Sequence, residues 1–254
     1  MMDAIAVRTL FLKEVRRFAK VWLQTVFNPL VTTTLYFLVF GMALGSRLRE
    51  VNGVPYVLFV VPGLMMLSMI NNAFLNTASS LFQSKINGTL VDLLVAPIGA
   101  AEMLIAYVGA AVFRAALVGG LVYLVAGAFA GFHLAHPGWT LFFALTVSAA
   151  FAILGILSAL WAEKFDHLSV VPNFVLTPLT FLGGVFYSVQ MLPPPWDTVS
   201  RFNPILYMVN GLRHGLLGAS DVNVYASAAA VTGLLAVLIL WAGFVLARGK
   251  RLRD

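Results

Sequence analysis

Long apolar stretches, nearly free of charge, fill most of this chain and constrain its fold more than any other feature. Residues 26–45, 56–80, 102–130, 139–161, 169–188 and 222–247 each supply a run close to the roughly 20 residues a helix needs to cross a bilayer. Charged residues make up 10% of the 254 positions, against roughly 25% in a soluble domain. So few charges cannot cover a water-facing surface. The pattern predicts an all-α integral membrane protein with six transmembrane helices. A water-soluble enzyme, a disordered chain and a nucleic-acid reader fit poorly, and no nucleic-acid partner is expected. The net charge of +6 is accounted for by membrane topology, because basic residues gather on the cytoplasmic side.

Six spans place both termini on one side, and the cations say which. Arg8, Lys13, Arg16, Arg17 and Lys20 precede the first span, while Arg248, Lys250, Arg251 and Arg253 follow the last. Lys85 and Lys164 lie in the two loops of that same side. The opposite side carries Arg47, Arg49, Arg201 and Arg213. The excess predicts cytoplasmic termini in a multi-pass membrane protein. Residues 3–20 mix charged and apolar side chains and lack the unbroken apolar run of a cleavable signal.

The chain reads as one membrane domain, 1–254. Its first segment, 3–25, is an amphipathic helix. Val7, Phe11, Val15, Phe18 and Trp22 fall on one stripe at helical spacing, with Lys13, Arg16, Arg17 and Lys20 opposite. Such a helix lies in the membrane interface, its stripe in the acyl boundary and its cations among headgroups; packing of that stripe on protein is the alternative. Spans one to five occupy 26–188, where 81–100 is too polar and too broken by Gly88 and Pro97 to cross. Residues 189–220 hold Pro193-Pro194-Pro195, Asn203-Pro204 and a stretch with Tyr207, Asn210, Arg213 and His214, but no apolar run of spanning length. Short re-entrant or interfacial helices are expected there. Residues 221–254 form the sixth span and a cytoplasmic tail.

Polar residues within the spans mark the candidate site. Ser68, Asn72, Asn76, Ser79 and Gln83 make a stripe on the second span; Asn173, Thr177, Thr180 and Tyr187 make one on the fifth. Facing lipid, such groups would be unsatisfied, so they face protein or a wet path. They either join helices or line a translocation path. Arg114, near the middle of the third span, costs at least about 2.5 kcal/mol on insertion scales and needs a partner. It is either a tie between helices or part of transport.

The chemistry this chain lacks is equally informative. It has no cysteine, which excludes thiolate metal sites. His133 and His136, three apart in a short loop, are too little for a metal site. There is no GxxxxGK[ST] loop to cradle a nucleotide and no GxSxG or triad spacing. The chain is expected to be no enzyme and to hold no cofactor of its own; if ATP drives it, another subunit binds the ATP. No carboxylate sits firmly in mid-span, which weakens, without removing, the alternative of an ion-gradient-driven carrier or channel.

The motif order resembles the permease subunits of ABC-2 type transporters, notably the YadH-type inner-membrane permeases and the nodulation-factor and polysaccharide-export permeases. The resemblance covers essentially the whole chain. It rests on Trp22-Leu-Gln-Thr-Val-Phe-Asn28-Pro29, Tyr56-Val-Leu-Phe-Val-Val-Pro62-Gly63, Leu93-Leu94-Val95-Ala96-Pro97 and Leu176-Thr-Pro178-Leu-Thr-Phe-Leu-Gly183-Gly184-Val-Phe-Tyr187-Ser188. Leu192-Pro193-Pro194, Asn203-Pro204-Ile-Leu-Tyr207-Met208 and Gly215-Leu-Leu-Gly218 complete it. The resemblance implies two permease copies, as a homodimer, joined to two ABC ATPase subunits that hold ATP and Mg. It implies that loop 83–97, with Lys85, Gly88, Asp92 and Leu93, couples to the ATPase, and that Lys164, Phe165 and Asp166 form a second contact. The start of the first loop, Gln83-Ser84-Lys85, is less acidic than in many family members. Paired short helices containing Asn203, Pro204 and Tyr207 would close the outer end of the path. The cargo implied is an amphiphile (drug, lipid, glycolipid or polysaccharide), and export is the family's usual direction.

Overall fold

The structure, a computed structural model, describes residues 4–39, 50–90, 95 and 98–248. Among the described residues the regular structure is helical apart from a two-residue antiparallel ladder in which β1 (Glu50–Val51) pairs with β2 (Val54–Pro55). Asn52 and Gly53, both at positive φ, make its turn.

Among the described residues, four helices are long and apolar enough to cross a membrane: α3 (Tyr56–Ile86), α4 (Ala100–Ala130), α5 (Pro137–Trp161) and α9 (Val224–Arg248), the last by its Val224–Leu246 stretch. They match the second, third, fourth and sixth predicted spans within a few residues, except that α3 runs six residues past its expected end. Those residues bear Gln83 and Lys85, and Lys85 donates its ammonium to the Ala162 carbonyl at 3.4 Å. A charge at a helix end reaches water cheaply. Of the first predicted span, α2 (Asn28–Leu38) is described, entered from α1 (Ala4–Lys20) through a π-helical turn at Leu23–Phe27.

The fifth predicted span is shorter than expected. Helix α6 (His167–Leu182) is partly π-helical over Val171–Leu176 and stops at Gly183. At about 1.5 Å per residue its 16 residues reach about 24 Å, short of a hydrocarbon core of about 30 Å. The Gly183-Gly184 pair ends it, and Gly184 takes φ +69°. The chain then doubles back against α3, where a Cβ on Gly63 would strike the Val185 backbone. Two short helices follow, α7 (Trp196–Arg201) and α8 (Pro204–Leu217).

Helix α3 is the centre of the bundle, packed between α4 and α5 with α8 on its flank. Its Met66, Met69, Ile70, Ala73 and Phe74 are buried among Tyr107, Val118, Phe143 and Val147. The α3–α5 seam is tight because Gly155 lets the backbones touch: a Cβ there would collide with Thr77 and the Phe74 carbonyl. Thr77 donates across the seam to the Ala152 carbonyl at 2.7 Å. The outward faces of α4, α5 and α9 are apolar, with Leu124, Phe129, Leu141, Trp241 and Phe244 exposed. A bilayer is the solvent such faces require.

Helix α1 lies along α4. Phe11 and Phe18 of its apolar stripe meet Phe113 at ring distances of 6.4 and 6.2 Å. The stripe therefore packs on protein for most of its length, and only Trp22, at its end, is exposed.

Candidate functional site

Helices α2, α3 and α6 lean together around an open cavity of about 490 Å³. Helix α3 presents Leu64, Ser68, Asn71 and Asn72 to it. Helix α2 adds Asn28, Thr32, Thr33 and Tyr36, and α6 adds Thr177, Thr180 and Phe181. Arg114 of α4 closes one end, and Phe186 lies in the wall towards the other. Many of these polar groups are satisfied locally, which is how a helix carries them through an apolar setting. Asn71 and Asn72 donate to the Leu67 and Ser68 carbonyls, and Thr177 and Thr180 to the Pro172 and Thr177 carbonyls.

The two predicted stripes divide here. Ser68, Asn72, Thr177 and Thr180 are on the cavity wall. Asn76 lies just beyond it, buried; Ser79 is next to Arg17, and Gln83 is exposed near the end of α3. Asn173 is exposed and away from the cavity. Tyr187 also stands apart, donating to the Phe181 carbonyl at 2.6 Å. The α2 contribution escaped the sequence reading, although Asn28, Thr32 and Tyr36 recur at four-residue spacing.

At the end of the cavity two arginines converge on one amide. Arg17 bonds Glu14 through Nε at 3.0 Å and the Asn76 carbonyl and side-chain oxygens through Nη2 at 2.8 and 3.0 Å. Arg114 donates to the same Asn76 Oδ1 at 3.2 Å. Glu14 is fully buried, with Oε1 unpartnered. An amphipathic-helix reading places Glu14 and Arg17 among the headgroups. The structure instead turns Arg17 inward, because the i, i+3 pair neutralises itself and Asn76 supplies the remaining acceptors.

A second buried cluster holds the opposite end. Arg213 of α8 is 1% exposed, although the sequence reading counted it among aqueous cations. It stacks on Phe59 at 3.8 Å, donates to the Gly184 carbonyl at 2.7 Å and pairs with Asp221 at 3.5 Å. The other oxygen of Asp221 accepts from Asn52 and Ser188, each at 2.8 Å. Asn210 ties the same turn to α9 through the Val222 carbonyl and Ser227. Asn203 caps α8, accepting from the Ile205 amide at 2.9 Å, and donates to the Leu179 carbonyl of α6 at 2.6 Å. Pro204 is the first residue of α8, and Tyr207 donates to the Arg201 carbonyl. These three join α6, α7 and α8, and none is on the cavity wall.

The loops at the ends of α3 and α5 come together at the end of the bundle away from Arg213. Besides the Lys85–Ala162 bond, Phe82 meets Phe165 at 6.1 Å. Gly88, at φ +72°, turns the chain out of α3. Phe165, Lys164 and Asp166 are exposed beside it. Asp92 and Leu93 lie outside the described residues.

Comparison with known proteins gives a consistent result. The family model described as "ABC-2 type transporter" matches residues 5–217. An inner membrane transport permease, YadH of Escherichia coli K12, is 41% identical over 253 residues, covering 98% of both chains. Nodulation protein J of Rhizobium leguminosarum bv. trifolii is 27% identical over 212 residues, covering 81% of this chain and 79% of its own. Nodulation protein J of Rhizobium meliloti is 26% identical over 211 residues, covering 81% of this chain and 79% of its own.

Proposed function

This chain belongs to the ABC-2 type transporter family, as a membrane permease subunit, and on that premise we propose that it is the passive gate of an ATP-driven exporter in the inner membrane. Two copies, as a homodimer, join two ABC ATPase subunits, which alone hold ATP and Mg. The observation that carries the reading is the cavity of α2, α3 and α6, a wall of amides and hydroxyls within a bundle otherwise faced with hydrocarbon. Leu35 of α2 and Phe174 and Phe181 of α6, on two of the helices that form that wall, are exposed. A second copy facing it would enclose a path for an amphiphile, whether drug, lipid, glycolipid or polysaccharide. In this arrangement α1 lies at the cytoplasmic interface, the first and fifth apolar segments complete six membrane crossings, and α7 and α8, with Asn203, Pro204 and Tyr207, cap the outer end as short re-entrant helices. Both termini are cytoplasmic.

Coupling follows from linkage. ATP can shift the membrane domain only through its differential affinity for two states of the complex. The loop with Lys85, Gly88, Asp92 and Leu93 and the neighbouring loop with Lys164, Phe165 and Asp166 are the surfaces that would transmit ATPase closure. Their meeting at one end supports a single docking face. Ser68, Asn72 and Asn76 of α3, with Asn173, Thr177, Thr180 and Tyr187 of the fifth segment, are proposed to line or flank the path as it opens.

Reconstitution with the partner ATPase tests this reading. Flux of an amphiphile is expected with both subunits and ATP, and none with the permease alone. Asp92→Arg is expected to abolish co-purification with the ATPase while leaving membrane insertion intact. Flux driven by an ion gradient without ATP would establish a secondary carrier instead.

A further inference from the structure

We infer that the cavity of α2, α3 and α6 takes an amphiphile with an anionic head, phosphate or carboxylate, and that Arg114 holds that head; the inference rests on reading this cavity as the cargo's path. The charge balance at the cavity end is the first ground. Arg17 has Glu14 as its counter-ion and spends three further donors on Asn76 and Ser79. Arg114 has no carboxylate partner among the described residues, and the cavity wall to which it belongs contains no Asp or Glu. Of the five N–H donors of its guanidinium, one is used, towards a neutral amide oxygen already shared with Arg17. Its Nε has no partner.

A cation enclosed by protein and lacking a counter-ion attracts an anion far more strongly than a neutral polar group does, and the guanidinium fork fits phosphate or carboxylate through paired bonds. A neutral cargo would leave the charge uncompensated; a cationic one would be repelled. The second ground is the mixed, partly apolar lining of the cavity away from Arg114. Arg114, Asn72, Gln24 and Asn28 are among its lining, and Arg114 bonds α3 at Asn76. Leu64 lies twelve residues back along α3, about 18 Å at the helical rise, and Phe181 and Phe186 add aromatic wall. A charged head at Arg114 leaves apolar surface for a tail. A role as a helix tie alone would use the single bond to Asn76 and has no need of a charge.

Binding to the full-length permease, in nanodiscs of neutral lipid and without nucleotide, tests this. Dodecyl phosphate and dodecanoate are expected to bind about tenfold or more tightly than dodecyl maltoside, and dodecyl trimethylammonium least tightly. Arg114→Gln should remove the preference and Arg114→Lys should keep most of it. The double variant Lys13→Gln/Arg16→Gln, on the exposed basic side of α1, should leave it unchanged. Equal affinity of the wild-type protein for the phosphate and maltoside heads overturns the inference, whether or not Arg114→Gln folds. So does inorganic phosphate binding as tightly as dodecyl phosphate, since the site would then serve a free anion. The measurement involves no ATP and no flux. Failure of head selection leaves the exporter reading standing, and failure of ATP-driven flux leaves head selection standing.

Discussion

Arg213 and Arg114 are both withdrawn from water, and they are held in opposite ways. Arg213 is enclosed on every side, with a carboxylate, a carbonyl and an aromatic face around its guanidinium. Its counter-ion Asp221 is itself filled by Asn52 and Ser188. Arg114 stands at the edge of a cavity with one shared amide and the Phe18 ring, 6.0 Å away, beside it, and with no carboxylate partner among the described residues. The first arrangement is closed and binds together the β1–β2 turn, the Gly184 turn, α8 and the start of α9. The second is open and incomplete. Each arginine leaves its Nε without a partner, so the difference lies in the counter-ion: a buried charge that has one serves the fold, whereas one without it beside a cavity is available to a ligand.

Breaking the closed cluster should have the largest effect. Asp221→Ala strands Arg213 and removes the acceptor of Asn52 and Ser188. A loss of about 3–5 kcal/mol is expected, seen as a steep fall in folded yield and in the melting temperature of the purified protein. Arg114→Leu should sharpen the contrast. Folded yield stays near wild type, while cargo-stimulated ATP hydrolysis of the reconstituted complex falls about tenfold, the scale of one lost charge-assisted bond. A collapse of expression would instead make Arg114 a closed-type residue like Arg213. Thr77→Val removes the bond to the Ala152 carbonyl in the α3–α5 seam. The expected cost is about 0.6 kcal/mol, measured as a small drop in melting temperature.

The smallest effect concerns pH near the closed cluster. The His214 ring stacks on His136 at 4.9 Å. Burial, and then the proximity of His136, push its pKa below the usual 6.5. The folded protein thus binds this proton less readily than the unfolded chain. Stability from this site is full above pH 6.5 and declines as the pH falls below it. His214→Gln should flatten that part of the melting temperature profile.

Much of this architecture is legible in the sequence because burial in lipid leaves a strong signature. The bounds of α4, α5 and α9 follow from apolar run length alone. The fifth segment does not: its run continues through Val185 and Phe186, but the Gly183-Gly184 pair and the tight approach of Val185 to Gly63 end the helix early. Part of the cavity wall was visible, because Ser68, Asn72, Thr177 and Thr180 interrupt apolar runs at helical spacing. Thr32, Thr33 and Tyr36 were missed, although they interrupt the first apolar run in the same way. Glu14 and Arg17 were invisible for a deeper reason. Periodicity assigns every charge to water, and only the three-dimensional pairing with Asn76 shows that these two point inward. Asp221 and Arg213 are joined by a turn that no local pattern reveals.

Because the chain has no cysteine, the path can be probed one residue at a time. The most direct measurement takes Ser68→Cys and Thr177→Cys, on the cavity wall, and His133→Cys, exposed in the loop between α4 and α5 and off the wall, in the reconstituted complex with its ATPase. Each is labelled with a small water-soluble thiol reagent, with and without ATP. The account predicts that labelling of the two wall positions changes with ATP while that of His133→Cys does not. Wall cysteines that label identically in both conditions would contradict the claim that this cavity is a gate moved by a separate ATPase.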